Sequence, residues 1–160
     1  MKKLVLKTIV EIFKDSTELT DSDRALLLLA RKSVKLAYAP YSNFKVASAV
    51  LLNNGKKVIG TNQENAAYPV CLCAERAALA NASSRYPKSP ISAIAITAKS
   101  MEQILNKPVA PCGSCRQYIL EMENRYNQPI RLILQGETGP IYIVESCKSL
   151  LPLSFDATFL

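Results

Sequence analysis

Cys73-Ala74-Glu75 and, further along, Pro111-Cys112-Gly113-Ser114-Cys115 constrain this chain more than any other feature. Three thiolates can share one zinc ion only if the fold brings these two distant segments to one point. Three protein ligands leave the fourth tetrahedral position open to water, as in catalytic rather than structural zinc sites. A carboxylate two residues after the first thiolate, Glu75, can then move protons to and from that water. The chain contains no histidine, so the first ligand of such a site is Cys73. A site of this kind is equipped to activate a water for attack on a substrate.

The remaining cysteines supply the alternatives. Cys71 lies two residues before Cys73, so a closed four-cysteine structural site is the main rival. Its Cys-x-Cys spacing is shorter than the usual structural pair, and it leaves Glu75 without a task. A thioredoxin-like role for Cys112-x-x-Cys115 leaves both Cys73 and Glu75 unexplained. Five cysteines, an odd number, argue against a disulfide framework. Cys71 and Cys147 read as small buried hydrophobes.

A chain of 160 residues has single-domain size, and residues 1–160 are expected to form one domain. Half of the residues are hydrophobic and about a fifth are charged, a globular composition. No apolar run is long enough to cross a membrane. Met1 to Leu6 begins like a signal peptide, but Lys7, Glu11 and Lys14 interrupt it and no cleavage site follows. The expected location is the cytoplasm. The net charge of +7 is scattered rather than blocked, so no nucleic-acid partner is expected from it.

The first fourteen residues alternate loosely, with Leu4, Leu6, Val10 and Ile12 on one side, as an extended segment or edge strand does. Thr20 with Asp21 and Asp23 predicts a capped helix over Arg24–Tyr38, stopped by Pro40. Phe44–Leu52 and Lys56–Thr61 flank Asn53-Asn54-Gly55 as a hairpin. Helices are predicted over Cys73–Ser84 and Gly113–Tyr126. Strands are predicted over Ile91–Ala98, Ile130–Leu134 and Ile141–Val144. The alternation predicts a three-layer α/β/α domain around a central five-stranded mixed sheet. Both ligand groups then open helices, where partial positive charge and free N–H groups favour thiolates. Arg76 and Arg116, each beside a site residue, could offset further negative charge.

From about Leu36 to Phe155 the chain resembles the small homotetrameric cytidine deaminases that bind zinc through three cysteines. The resemblance rests on Ala39-Pro40-Tyr41-Ser42-Asn43-Phe44, on Gly60-Thr61-Asn62-Gln63-Glu64-Asn65-Ala66-Ala67-Tyr68-Pro69, and on Cys73-Ala74-Glu75-Arg76. It continues through Ala110-Pro111-Cys112-Gly113-Ser114-Cys115-Arg116-Gln117 and Leu150-Leu151-Pro152-Leu153-Ser154-Phe155. It implies one zinc per subunit on Cys73, Cys112 and Cys115, with Glu75 as proton carrier. It implies that Asn62 and Glu64 grip a ribose 3′-hydroxyl, with Gln63 between them in the substrate-contacting segment. Phe44 would pack on the pyrimidine, the Ala66 backbone would meet the base edge, and Phe155 would reach a neighbouring subunit's site. The implied activity is hydrolytic deamination of cytidine and 2′-deoxycytidine in pyrimidine salvage.

The chain departs from the family pattern in three places. Ala47-Ser48 stands where Gly-Ala is usual, residues 101–107 lack the usual short polar run, and Met1–Ser16 is an extension outside the match. The tail, 150–160, is expected at a subunit interface. The rival readings are a deaminase of another cytosine or amino-nucleoside, nucleotide or RNA substrate, and a zinc-stabilised binding domain without activity. No glycine-rich phosphate loop is present, which favours a free nucleoside.

Overall fold

Side-chain alternation along the strands sorts the apolar residues into two cores, one on each face of a single sheet. The computed structural model describes residues 1–160. Its strands are β1 (Glu11–Phe13), β2 (Phe44–Leu52), β3 (Lys57–Thr61), β4 (Ile91–Ser100), β5 (Arg131–Gln135) and β6 (Ile141–Val144). They lie in the order β1-β6-β5-β4-β2-β3. Only β4 and β5 pair in parallel; the other neighbours are antiparallel. The helices are α1 (Asp21–Ser33), α2 (Ala74–Arg85) and α3 (Gly113–Tyr126). Ala93, Ala95 and Ile133 face α1, against Leu26, Leu27 and Ala30. Their neighbours Ile94, Ile96, Leu132 and Leu134 face the other way, against Ala78 and Leu79 of α2 and Ile119 of α3. Period-two alternation thus yields the three expected layers.

The sheet has six strands, not the expected five. The added strand is β1, whose Glu11, Ile12 and Phe13 pair with Ile143, Tyr142 and Ile141 of β6. The expected apolar side of this arm is the wrong one. Leu4, Leu6, Val10 and Ile12 are exposed, whereas Phe13, of opposite parity, packs on the α1-side core. Three ladder positions fix the register, and the pleat does the rest.

Thr20 caps α1 by accepting from the Asp23 N–H at 3.2 Å and donating to its carboxylate at 2.8 Å. Such a cap contributes about 1 kcal/mol. The helix ends at Ser33, short of the expected Tyr38, and continues as a 3-10 turn, Val34–Leu36. The Ser33 hydroxyl donates back to the Leu29 carbonyl at 2.8 Å, a local bond that competes with regular helix.

One glycine sets the depth at which α2 sits. A Cβ on Gly60 of β3 would lie 2.2 Å from the Ala78 nitrogen and 2.5 Å from the Ala74 carbonyl oxygen. Its absence, together with the small Ala74, Ala78 and Ala82, lets the first turn of α2 rest against the sheet. Cys73 and Glu75 belong to that turn.

Candidate active site

Cys73 and Cys112 are the N-cap residues of α2 and α3, both with extended backbone, and neither thiol caps its helix. The sulfurs are therefore free to turn toward a common point, and Cys115 in the first turn of α3 joins them. The Sγ atoms of Cys73, Cys112 and Cys115 all lie within 4.8 Å of one another. Tetrahedral zinc with bonds of about 2.3 Å to sulfur accepts such a set. Burial pushes the Cys73 and Cys115 thiols up, and the nearby Glu75 carboxylate adds to the rise. The Cys112 sulfur adds a further rise at both, and a divalent cation held among the three would reverse these rises.

Cys71 stays outside the cluster. Its sulfur accepts from the Asn65 N–H at 3.2 Å and its thiol donates to the Asn65 carbonyl at 3.5 Å. Cys147 is fully buried, donates to the Arg116 carbonyl at 3.3 Å, and has its pKa raised to about 12 by burial. The donor set is thus three thiols, which fits an open zinc site rather than a closed one.

Glu75 is 6% exposed, and burial raises its carboxyl above the usual carboxylate range. It lines, with the three cysteines, a cavity of about 450 Å³ whose walls include Ser42, Phe44, Val46, Asn62 and Glu64. Cavities of this size hold small organic ligands. Ala74 and, just before the second cysteine motif, Val109 and Ala110 complete the wall. Ser42, Val46 and Val109 were not singled out from sequence. Ser42 and Val46 flank Phe44 in the chain, and Val109 continues the run into Pro111.

The segment 62–64 is pinned on both sides. Tyr38 donates its N–H to the Asn62 carbonyl at 3.0 Å, the Glu64 N–H donates to the Tyr38 carbonyl at 2.9 Å, and Gln63 exchanges two 2.9 Å bonds with Leu72. The Asn62 amide also bridges the neighbouring strand, accepting from the Val46 N–H at 2.8 Å and donating to the Phe44 carbonyl at 2.9 Å. Glu64 accepts from the Tyr41 N–H at 2.9 Å, the Ser42 N–H at 3.3 Å and the Ser42 hydroxyl. The Ser42 hydroxyl, first among these donors, holds its carboxyl below the usual range. Phe44, Asn62 and Glu64 therefore share the cavity with Glu75.

The other expected site residues fall elsewhere. Gln63 and Ala66 are exposed and outside the cavity wall, and the Gln63 amide donates to the Thr61 hydroxyl at 2.9 Å. Phe155 is exposed, stacks on Phe159 with ring centroids 5.5 Å apart, and does not line its own chain's cavity. Arg76 is half-buried, and its charge favours the Cys73 thiolate against the larger effect of burial. The Arg116 guanidinium donates to two carbonyls, Pro111 at 2.8 Å and Leu150 at 2.9 Å.

Residues 20–127 match the family model for the cytidine and deoxycytidylate deaminase zinc-binding region. The chain belongs to the cytidine and deoxycytidylate deaminase family. It is 38% identical over 136 residues to the cytidine deaminase of Halalkalibacterium halodurans, covering 84% of this chain and 96% of that one. It superposes on the crystal structure of cytidine deaminase from Burkholderia pseudomallei with a TM-score of 0.72 and 37% identity. That match covers 86% of this chain and all of the other. The cytidine deaminase of Mycobacterium tuberculosis is more distant, at TM-score 0.65 and 29% identity over 86% of this chain and 98% of that one. As a member of this deaminase family the chain is a hydrolytic enzyme. Its matched region runs from the α1 cap through the end of α3, and so contains every cavity residue named above.

Proposed function

We propose that this deaminase hydrolyses cytidine and 2′-deoxycytidine to uridine and 2′-deoxyuridine with release of ammonia. The observation that carries the reading is one cavity shared by the three thiols, Glu75, Asn62 and Glu64. Cys73, Cys112 and Cys115 would hold one zinc per subunit, which supplies Lewis-acid activation of a water. The Glu75 carboxylate takes a proton from that water and passes it to the pyrimidine ring nitrogen as the oxygen adds to C4. Glu75 then carries the second water proton to the departing amino group, so that water and amine become carbonyl oxygen and ammonia. Its burial suits this exchange, because it keeps the carboxyl able to hold a proton.

Asn62 and Glu64 would bind the ribose 3′-hydroxyl, Phe44 would pack on the base, and the Ala66 backbone would meet the base edge beside Gln63. The rigid anchoring of 62–64 supports this role, because a pre-placed acceptor loses little freedom on binding sugar. Residues 1–160 would act as one domain in a homotetramer with shared sites, in cytoplasmic pyrimidine salvage; no helix is long and apolar enough to cross a membrane. A direct comparison of substrates tests the reading. Cytidine and deoxycytidine should be turned over, whereas cytidine monophosphate and a cytosine-containing oligonucleotide should be at least about tenfold poorer in kcat/KM, the effect of about 1.4 kcal/mol. Equal or better turnover of the monophosphate or oligonucleotide overturns it.

A further inference from the structure

The two residues that follow Cys115 hold the end of the chain. Arg116 donates through Nε to the Pro111 carbonyl at 2.8 Å and through a terminal nitrogen to the Leu150 carbonyl at 2.9 Å. Gln117 donates to the Phe155 carbonyl at 2.9 Å. Pro111 is buried and directly precedes the ligand Cys112. Leu150 closes the 3-10 turn Cys147–Leu150. One rigid, planar guanidinium therefore ties the metal loop to the start of the tail, a two-point geometry that lysine cannot copy. The same turn is fastened from beneath. The buried Glu123 carboxylate accepts from the Cys147 N–H at 2.9 Å and the Ser146 hydroxyl at 2.9 Å, and Cys147 donates to the Arg116 carbonyl. Between the two α3 anchors, Leu153 takes a left-handed backbone, φ 55°, which turns the chain toward Phe155.

We infer that Arg116 is a positioning residue that couples the seat of the 147–151 turn to the Cys112 loop. It rests on the reading of Cys112 as a zinc ligand. The effect is mechanical rather than a charge offset at the ligand sulfurs: the guanidinium donates to two carbonyls and acts on Cys112 only through the Pro111 backbone. With the turn seated, the Pro111 carbonyl is fixed and the Cys112 sulfur is held toward its partners. Without Arg116, the metal loop and the turn loosen together.

The test uses the zinc-loaded full chain and two readouts other than activity. Zinc release to a chromophoric chelator reports the metal loop, and amide hydrogen exchange of residues 147–151 reports the turn. Arg116→Ala should release zinc about 10- to 100-fold faster, the usual cost of losing a group that supports a ligand, with faster exchange at 147–151. Arg116→Lys keeps the charge but reaches one carbonyl at a time, and should fall between; it also serves if the alanine variant fails to fold. Gln117→Ala should leave zinc release as in the wild type. Wild-type release from Arg116→Ala, faster release with 147–151 unchanged, or full restoration by lysine each overturns the coupling alone. A wild-type chain that holds no zinc overturns the metal reading and the coupling with it.

Discussion

At the scale of single residues, the choice between an open and a closed cysteine site depends on where one sulfur points. Cys71 is two residues from Cys73, yet its sulfur is bound to the Asn65 backbone and lies outside the thiol cluster. Cys71→Ser should therefore bind zinc at the wild-type ratio, while Cys73→Ser should lose most of it, read by metal analysis of purified protein. Loss of zinc in the first variant would mean a closed four-cysteine site. The meeting of Cys73, Cys112, Cys115 and Glu75 at one cavity was legible in sequence because their spacing sits on helix starts, and local geometry then dictates where they point. The partners of Asn62 and Glu64 were not. Two acidic or amide side chains alternating along a segment show a shared face, but not that the Asn62 amide also ties β2 to the segment. Nor could sequence show that the Arg116 guanidinium faces two carbonyls, one of them from residue 150.

At the scale of elements, the site is as well placed as the packing of α2 on β3. Gly60 lies in an ordinary strand, and its role is steric: an added Cβ would overlap backbone atoms of Ala74 and Ala78. Gly60→Ala should lower stability by about 1–3 kcal/mol, the usual cost of overpacking. Because the displaced turn carries Cys73 and Glu75, kcat/KM should fall by about 10²-fold, as small misplacements of catalytic groups do. Thermal melts and steady-state kinetics on the same sample check both. An unchanged kcat/KM would show that the α2 start tolerates the shift. Element type was readable from alternation and caps, and β2 and α3 match their expected bounds. The parity of the N-terminal arm was not readable, since a loosely alternating segment shows two faces without showing which one meets the core. Phe13 and a three-residue ladder with β6 decide it.

At the scale of the whole molecule, the apolar tail residues Leu153, Phe155, Phe159 and Leu160 are exposed on the single chain. A surface of this kind suits a subunit contact. Light scattering should give a mass of four chains, and Phe155→Ala should raise KM for cytidine if its ring covers a neighbour's site. A monomer with unchanged KM would contradict that assembly. The most direct measurement joins the chemistry to the metal: loss of cytidine absorbance, followed with wild type beside Glu75→Gln and with zinc quantified in both. Wild type should deaminate cytidine with about one zinc per chain. Glu75→Gln should keep its zinc and fold while kcat falls by at least about 10²- to 10⁴-fold, the range for a lost general acid–base group. Zinc-replete wild type that leaves cytidine unchanged, or a glutamine variant that retains full turnover, would contradict the assignment of Glu75 and of the reaction.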